Sequence, residues 1–145
     1  EKEKRHRLAL ALRALAHRRD LVLIIADDPL LAAEMGAHGI HLPEARAASA
    51  AIWLARRPGW LVTVSAHGLK GIWRGGMFGA DALLLAPVFA SQSHSGGNFL
   101  SLPRALLLAR QSRIPVYALG GIDAGNAASL RAPFGGIGAL GALEG

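Results

Sequence analysis

Ala82-Leu83-Leu84-Leu85-Ala86, closed by Pro87-Val88-Phe89, is apolar at every position before the chain turns. A half-buried strand alternates apolar with polar residues, so this unbroken run predicts a strand covered on both faces, as in a parallel sheet clad by helices. Similar runs rich in Val, Ile and Leu stand to either side at Leu21–Ala26, Gly39–Leu42, Trp60–Val64, Pro115–Leu119 and Gly136–Leu140. Helical patterns with recognisable ends lie between them. Asp28-Pro29 sets a cap residue ahead of proline at the first helical position, and Gly36 follows the last turn. Ser101 and Asp123 are expected to cap in the same way. The Ala-rich stretch from Glu44 to Arg57 predicts one helix stopped by Pro58-Gly59, whereas Gly71, Gly75 and Gly76 predict a weak helix after Leu69.

Successive strand starts are about 18, 21, 22, 33 and 21 residues apart, the length of one short βα unit. Such repeats build either an open doubly wound sheet or a closed barrel. An eight-stranded barrel takes roughly 200 residues or more, so a chain of 145 residues carries at most about three quarters of one. It opens on Glu1-Lys2-Glu3-Lys4 with no methionine, and its natural N-terminus is expected to lie upstream.

The 52% hydrophobic content and mean hydropathy of +0.32 exclude a polyelectrolyte and supply a sizeable core. The absence of cysteine excludes a disulfide scaffold, thiolate metal sites and thiol nucleophiles. No apolar run approaches the roughly 20 residues of a membrane span, which predicts a cytoplasmic protein with no membrane partner. Most of the net charge of +6 sits in residues 1–20, where seven Lys and Arg face three acids. Leu8, Leu12 and Leu15 share one helical stripe there, so the charge is expected to form a solvated face or to attract an anionic ligand. Nucleic-acid binding would call for interleaved aromatics, which this segment lacks.

In either βα architecture the chemistry gathers at the strand C-termini. Those positions carry Asp27-Asp28, His41 to Glu44, Ser65-Ala66-His67, the loop from Ala90 to Asn98, Gly120-Gly121 and Gly141-Ala142. Together they predict a pocket for a small phosphorylated ligand. Asp27 is a candidate metal ligand or base, while its neighbour Asp28 is as readily a helix cap. His41 ends a buried strand, where a lone histidine is more often structural than a ligand. His38-x-x-His41 has no third ligand nearby and its two rings would diverge, so a metal pair is not expected. His67, directly after a strand and before a glycine, is the strongest general acid/base candidate, imidazole being the side chain that exchanges protons near neutral pH. No nucleophile elbow accompanies Ser65.

Ser91-Gln92-Ser93-His94 opens a loop that serves either as plain linker or as a lid supplying hydroxyls and amides to a phosphate. Gly120, Gly121 and the glycines from 135 to 141 offer backbone N–H groups to an anion. Gly136-Ile137-Gly138-Ala139-Leu140-Gly141 matches G-x-G-x-x-G, but it lies in the last strand with only four residues to follow, so no nucleotide cofactor is expected.

In order and spacing, several of these segments resemble the thiamine phosphate synthase family and its TenI-type thiazole tautomerase relatives. They are Ile25-Ala26-Asp27-Asp28, Gly36-Ala37-His38-Gly39-Ile40-His41-Leu42, Val64-Ser65-Ala66-His67, Gly79-Ala80-Asp81 leading to Ala86-Pro87-Val88-Phe89, and Ile114 to Ile122. The likeness runs from about Leu21 to Leu143. It implies a (β/α)8 barrel of which residues 1–145 form one domain covering about strands 3 to 8, Leu21–Ala26 being the third. An edge left open at that strand would make the isolated chain unstable or lead it to pair with another copy.

The resemblance also implies roles. In the synthases a pyrimidine diphosphate condenses with thiazole phosphate while magnesium neutralises the departing pyrophosphate. Asp27 matches a magnesium ligand, Ser65 a pyrimidine-side contact, and Ser91, Gln92 and Ser93 the loop on thiazole phosphate. Gly121, Leu140 and Gly141 match the opposite phosphate-binding backbone, and His67 the acid/base histidine of the tautomerases. The departures fall on one side. Ala26 replaces the family asparagine, Arg46 stands where a second magnesium aspartate is expected, Pro43-Glu44 replaces Gly-Gln, and His94 replaces the loop lysine. These changes favour a thiazole-phosphate-binding, TenI-like tautomerase over a magnesium-dependent synthase, with a non-catalytic ligand-binding relative as the third alternative.

Overall fold

The structure is a computed structural model that describes residues 1–90 and 99–139. Ser91, Gln92, Ser93, His94, Leu140 and Gly141, expected to bind phosphate, lie outside the described residues. Six strands form one sheet: β1 (Ile24–Ala26), β2 (Gly39–Leu42), β3 (Leu61–Ala66), β4 (Ala82–Leu85), β5 (Val116–Leu119) and β6 (Gly136–Gly138). Their spatial order is β1-β2-β3-β4-β5-β6 and every pair is parallel. A doubly wound sheet reverses its strand order part-way. Here each strand lies beside its successor without reversal, so the sheet is an arc of a (β/α)8 barrel, as expected.

Helices α1 (Lys2–Arg19), α2 (Pro29–Glu34), α3 (Ser49–Arg56), α4 (Leu69–Met77) and α5 (Leu102–Arg110) alternate with the strands. Side chains alternate across each strand, so Ile40, Leu42, Val62, Val64, Ala66, Leu83, Leu85, Val116 and Ala118 face the helices and are essentially inaccessible to water. This is the main core. The other face, the concave one, carries His41, Thr63, Ser65, Leu84 and Leu119, and its members are buried less completely than the helix-facing set.

Several boundaries differ from expectation. β1 starts at Ile24, not Leu21. Asp20 closes α1 in the left-handed conformation (φ 51°), Leu21 N–H donates to Ala16 O at 2.9 Å, and Leu23 N–H is taken by His38 Nδ1, so this stretch ends a helix before it can join a ladder. β3 runs on through Ser65 and Ala66. The Glu44–Arg57 helix is split into a 3-10 turn, Glu44–Arg46, and α3. The Asp28 cap is present, its Oδ1 accepting Leu31 N–H at 3.0 Å. Ser101 is not a side-chain cap; it adopts φ 64° and makes no capping bond. Asp123 Oδ1 accepts N–H groups of Gly125 and Asn126 at 2.8 and 3.0 Å, which sets up a 3-10 turn, Ala127–Ser129, in place of an α-helix. On α1 the leucine stripe faces outward, with Leu8 58% exposed. The small Ala9 and Ala16 are buried, Ala9 packing with Leu31, Ala32 and Met35 of the α2 region.

The glycine-rich α4 forms over nine residues because its glycines let it sit close to the sheet. A Cβ on Gly71 would lie 2.6 Å from Glu44 Oε2 and 2.9 Å from Ala66 Cα, and one on Gly75 would overlap Leu83 Cδ2. The helix gives up propensity and gains close contact.

Candidate functional site

The register of the first three strands brings polar residues together on the concave face. His41 pairs with Thr63 across β2 and β3, and Ser65 follows two residues along. Its ring is held at both nitrogens, Nδ1 2.9 Å from Thr63 Oγ1 and Nε2 2.8 Å from Ser65 Oγ. One nitrogen of a neutral imidazole donates and the other accepts, and a hydroxyl serves either role, so the neutral ring is fully satisfied here. Burial pushes the His41 pKa down, partly offset by the nearby Asp27 carboxylate. His41 is thus a group with both nitrogens engaged, in keeping with the structural role expected of a buried-strand histidine. His38 is also engaged, through Leu23 N–H.

His67 is held differently. Its backbone N–H donates to Glu44 Oε2 at 2.8 Å, and its ring Nδ1 lies 2.8 Å from Ala86 O. A carbonyl only accepts, so Nδ1 carries the proton and the basic lone pair of the neutral ring is on Nε2. Nε2 has no hydrogen-bond partner among the described residues. His67 lines a cleft of about 400 Å³ with Pro87, Phe99, Leu100 and Arg104. The carbonyl that sets its tautomer belongs to the end of β4, where Val88 and Phe89 N–H groups bond Leu119 O and Gly120 O of the β5 exit.

Gly120 (φ 92°) and Gly121 (φ 64°) occupy a conformation that side chains rarely adopt. A Cβ at Gly120 would come 2.8 Å from Pro87 Cα, so this turn also depends on close backbone approach. Asn126 Nδ2 braces it by donating to Gly121 O at 2.8 Å. Sequence reasoning missed Arg104, Asn126 and Thr63. Only Asn126 carried a signal, since Asp123-Ala124-Gly125-Asn126 is a turn-forming string directly after the glycine pair.

Asp27 lies at the end of β1 in the left-handed conformation (φ 51°), its N–H donating to His41 O at 2.8 Å. Its carboxylate is engaged by Arg46, Nη1 to Oδ1 2.6 Å. Arg5 Nη2 donates to the adjacent Ala26 O. Magnesium prefers carboxylate and water oxygens in an octahedron. Among the described residues no three acidic or histidine side chains gather to hold a metal, and a guanidinium occupies the one carboxylate expected to do so. This donor set does not fit magnesium. A wider cleft of about 600 Å³, lined by Arg13, His17, Leu23, Met35 and His38, lies at the opposite, N-terminal end of the strands, away from these groups.

A family model described as thiamine monophosphate synthase matches residues 1–140. The chain belongs to the thiamine monophosphate synthase family. It is 32% identical over 117 residues to a putative thiamine-phosphate synthase 2 of Aquifex aeolicus, covering 81% of this chain and 62% of that protein. It is 33% identical over 130 residues to the thiamine-phosphate synthase of Thioalkalivibrio sulfidiphilus, covering 88% and 61%. Among solved structures, the thiamine phosphate pyrophosphorylase from Pyrococcus furiosus superposes with a TM-score of 0.78 at 22% identity, covering 94% of this chain and 66% of that one. That likeness bears on the fold, and it confirms the barrel arc. The chain spans about 60% of the length of the two curated relatives named above.

Proposed function

We propose that this member of the family binds a thiazole phosphate at the C-terminal mouth of the barrel and moves a proton on it, as a TenI-like tautomerase. The observation that supports this most directly is the tautomer of His67. Ala86 O holds the ring with Nδ1 protonated, which leaves Nε2 as the base in a cleft that also carries a cation, Arg104. Tautomerisation removes a proton from one ring position and returns one at another, so a single poised imidazole suffices and composition is unchanged. His67 Nε2 takes the first proton, the resulting imidazolium is stabilised by Ala86 O, and the same nitrogen delivers the proton at the second position. The turn at Gly120 and Gly121, and the expected loop residues Ser91, Gln92, Ser93 and His94 with Leu140 and Gly141, would hold the phosphate. Ser65, shared with His41, would line the ring side. The choice of tautomerase over synthase rests on the Asp27–Arg46 pair, which occupies the carboxylate a magnesium-dependent diphosphate departure would call upon.

The test is isomerisation of thiazole carboxylate phosphate by the full-length protein, followed by ring-proton exchange in D2O. His67→Ala is expected to lower the rate by roughly 10²–10⁴-fold, the range of general acid–base catalysis, with an unchanged thermal melt. An unchanged rate in that variant removes His67 from the mechanism. Coupling of a pyrimidine diphosphate to thiazole phosphate that appears only with magnesium would establish the synthase instead.

A further inference from the structure

We propose that Arg46, anchored by Asp27, is the cation that receives a ligand oxyanion at the β1–β2 end of the mouth, and that no divalent metal serves there. This inference rests on the phosphate-ligand function proposed above and assigns a residue to it. Asp27 is placed at the strand exit in a left-handed backbone conformation, with its N–H tied to His41 O, so its carboxylate has a defined position. Arg46 closes the 3-10 turn Glu44–Arg46 that follows β2, a three-residue connection from which it reaches Asp27. The contact uses Nη1 alone, and the side chain is 46% exposed. A guanidinium has five N–H donors in a planar fork. One donor fixes its direction, and the remainder are available to a phosphoryl or carboxylate group at the mouth. Arg5, reaching Ala26 O from the N-terminal end of α1, brings a second guanidinium to the exit of β1. The neighbouring carboxylates of Asp28 and Glu44 are taken up by the backbone N–H groups of Leu31 and His67, which leaves the outer donors of Arg46 for the charge-assisted bonds an anion would make. The same turn carries Glu44, which holds His67 N–H, so one three-residue connection carries both the anchored cation and the support of the proposed base.

The experiment uses the full-length protein and two probes, Mn(II) as a magnesium surrogate followed by electron paramagnetic resonance, and inorganic pyrophosphate followed by calorimetry. The wild type is expected to retain no Mn(II) at millimolar concentration and to bind pyrophosphate equally in EDTA and in magnesium. Arg46→Gln should weaken pyrophosphate roughly ten- to a hundred-fold, the range that charged hydrogen bonds span, while Arg46→Lys keeps part of the affinity. Both side chains of the pair are substantially exposed, so these variants are expected to fold as the wild type does. Mn(II) bound by the wild type and lost in Asp27→Asn overturns the proposal. So does pyrophosphate affinity that requires magnesium or is unaffected by Arg46→Gln. Failure of thiazole isomerisation with these binding results intact would sink the tautomerase assignment alone.

Discussion

Gly75 and Gly76 are neighbours in α4, and changing each to alanine should move stability in opposite directions. Both sit in ordinary helical backbone, so alanine gains the same conformational term at each, about 0.5–1 kcal/mol. The surroundings differ. A Cβ at Gly76 meets nothing within 4 Å, whereas at Gly75 it would fall far under 3.0 Å from Leu83 Cδ2, a side chain of the inaccessible core. Leu83 is itself wedged between Val64 and the helix, so relief demands a rotamer change or a shift of α4, at an overpacking cost of about 1–3 kcal/mol. Subtracting the helix term leaves Gly75→Ala destabilised by roughly 0–2.5 kcal/mol, with a midpoint near 1 kcal/mol, and Gly76→Ala stabilised by roughly 0.5 kcal/mol because it lies near the helix end. Urea unfolding of the full-length protein, compared at constant m, measures both. The same sign for the two variants would refute the claim that glycine is placed in this helix for its approach to the sheet.

Asp28→Ala should cost about 1 kcal/mol in the same assay through loss of the bond to Leu31 N–H, with Asp28→Ser recovering most of it. His41 has a lowered pKa, so the unfolded chain binds more protons than the folded one as pH drops below about 6.5, the ordinary value for histidine. Its contribution is therefore fully present above that pH and declines on acidification, with a slope of at most ~1.4 kcal/mol per pH unit; thermal melts from pH 7.5 to 5 should fall more steeply for wild type than for His41→Gln. Glu44→Ala frees the His67 backbone and should lower kcat for isomerisation by up to ~10²-fold with little change in KM, whereas Glu44→Gln, which keeps an acceptor, should be mild.

The repeating apolar runs made the architecture legible because strands covered by helices leave an uninterrupted pattern, and Leu83, Leu85, Val116 and Ala118 are in fact the helix-facing core. Strand ends were less legible. Ser65 is polar and so reads as the end of a strand, yet it belongs to β3 because the concave face accepts a hydroxyl bonded to His41. Leu21 and Val22 read as strand, but a helix closure on Ala16 O takes that stretch first. In the candidate site, the place of His67 directly after a strand is legible in the sequence, whereas its tautomer depends on a carbonyl 19 residues away. The partnership of Glu44 with His67 crosses 23 residues, and Glu44 sits in a 3-10 turn in place of the helix that its local sequence favours. Composition and spacing carry no record of such contacts.

The unreversed strand order also sets how the chain can assemble. Ile24 pairs with Gly39, Gly39 with Leu61, Thr63 with Ala82 and Tyr117 with Gly136, all close along the chain, and only Leu83 with Val116 spans a longer loop. Loop-closure entropy grows by only about 0.6 kcal/mol per doubling of length, so no ladder is much dearer than its neighbours. Each βα unit can therefore add to the one before it, with the β4–β5 joint as the slowest step. That joint is where Ala86, His67 and Gly120 meet, so the proposed catalytic cleft would be among the last parts of the molecule to form.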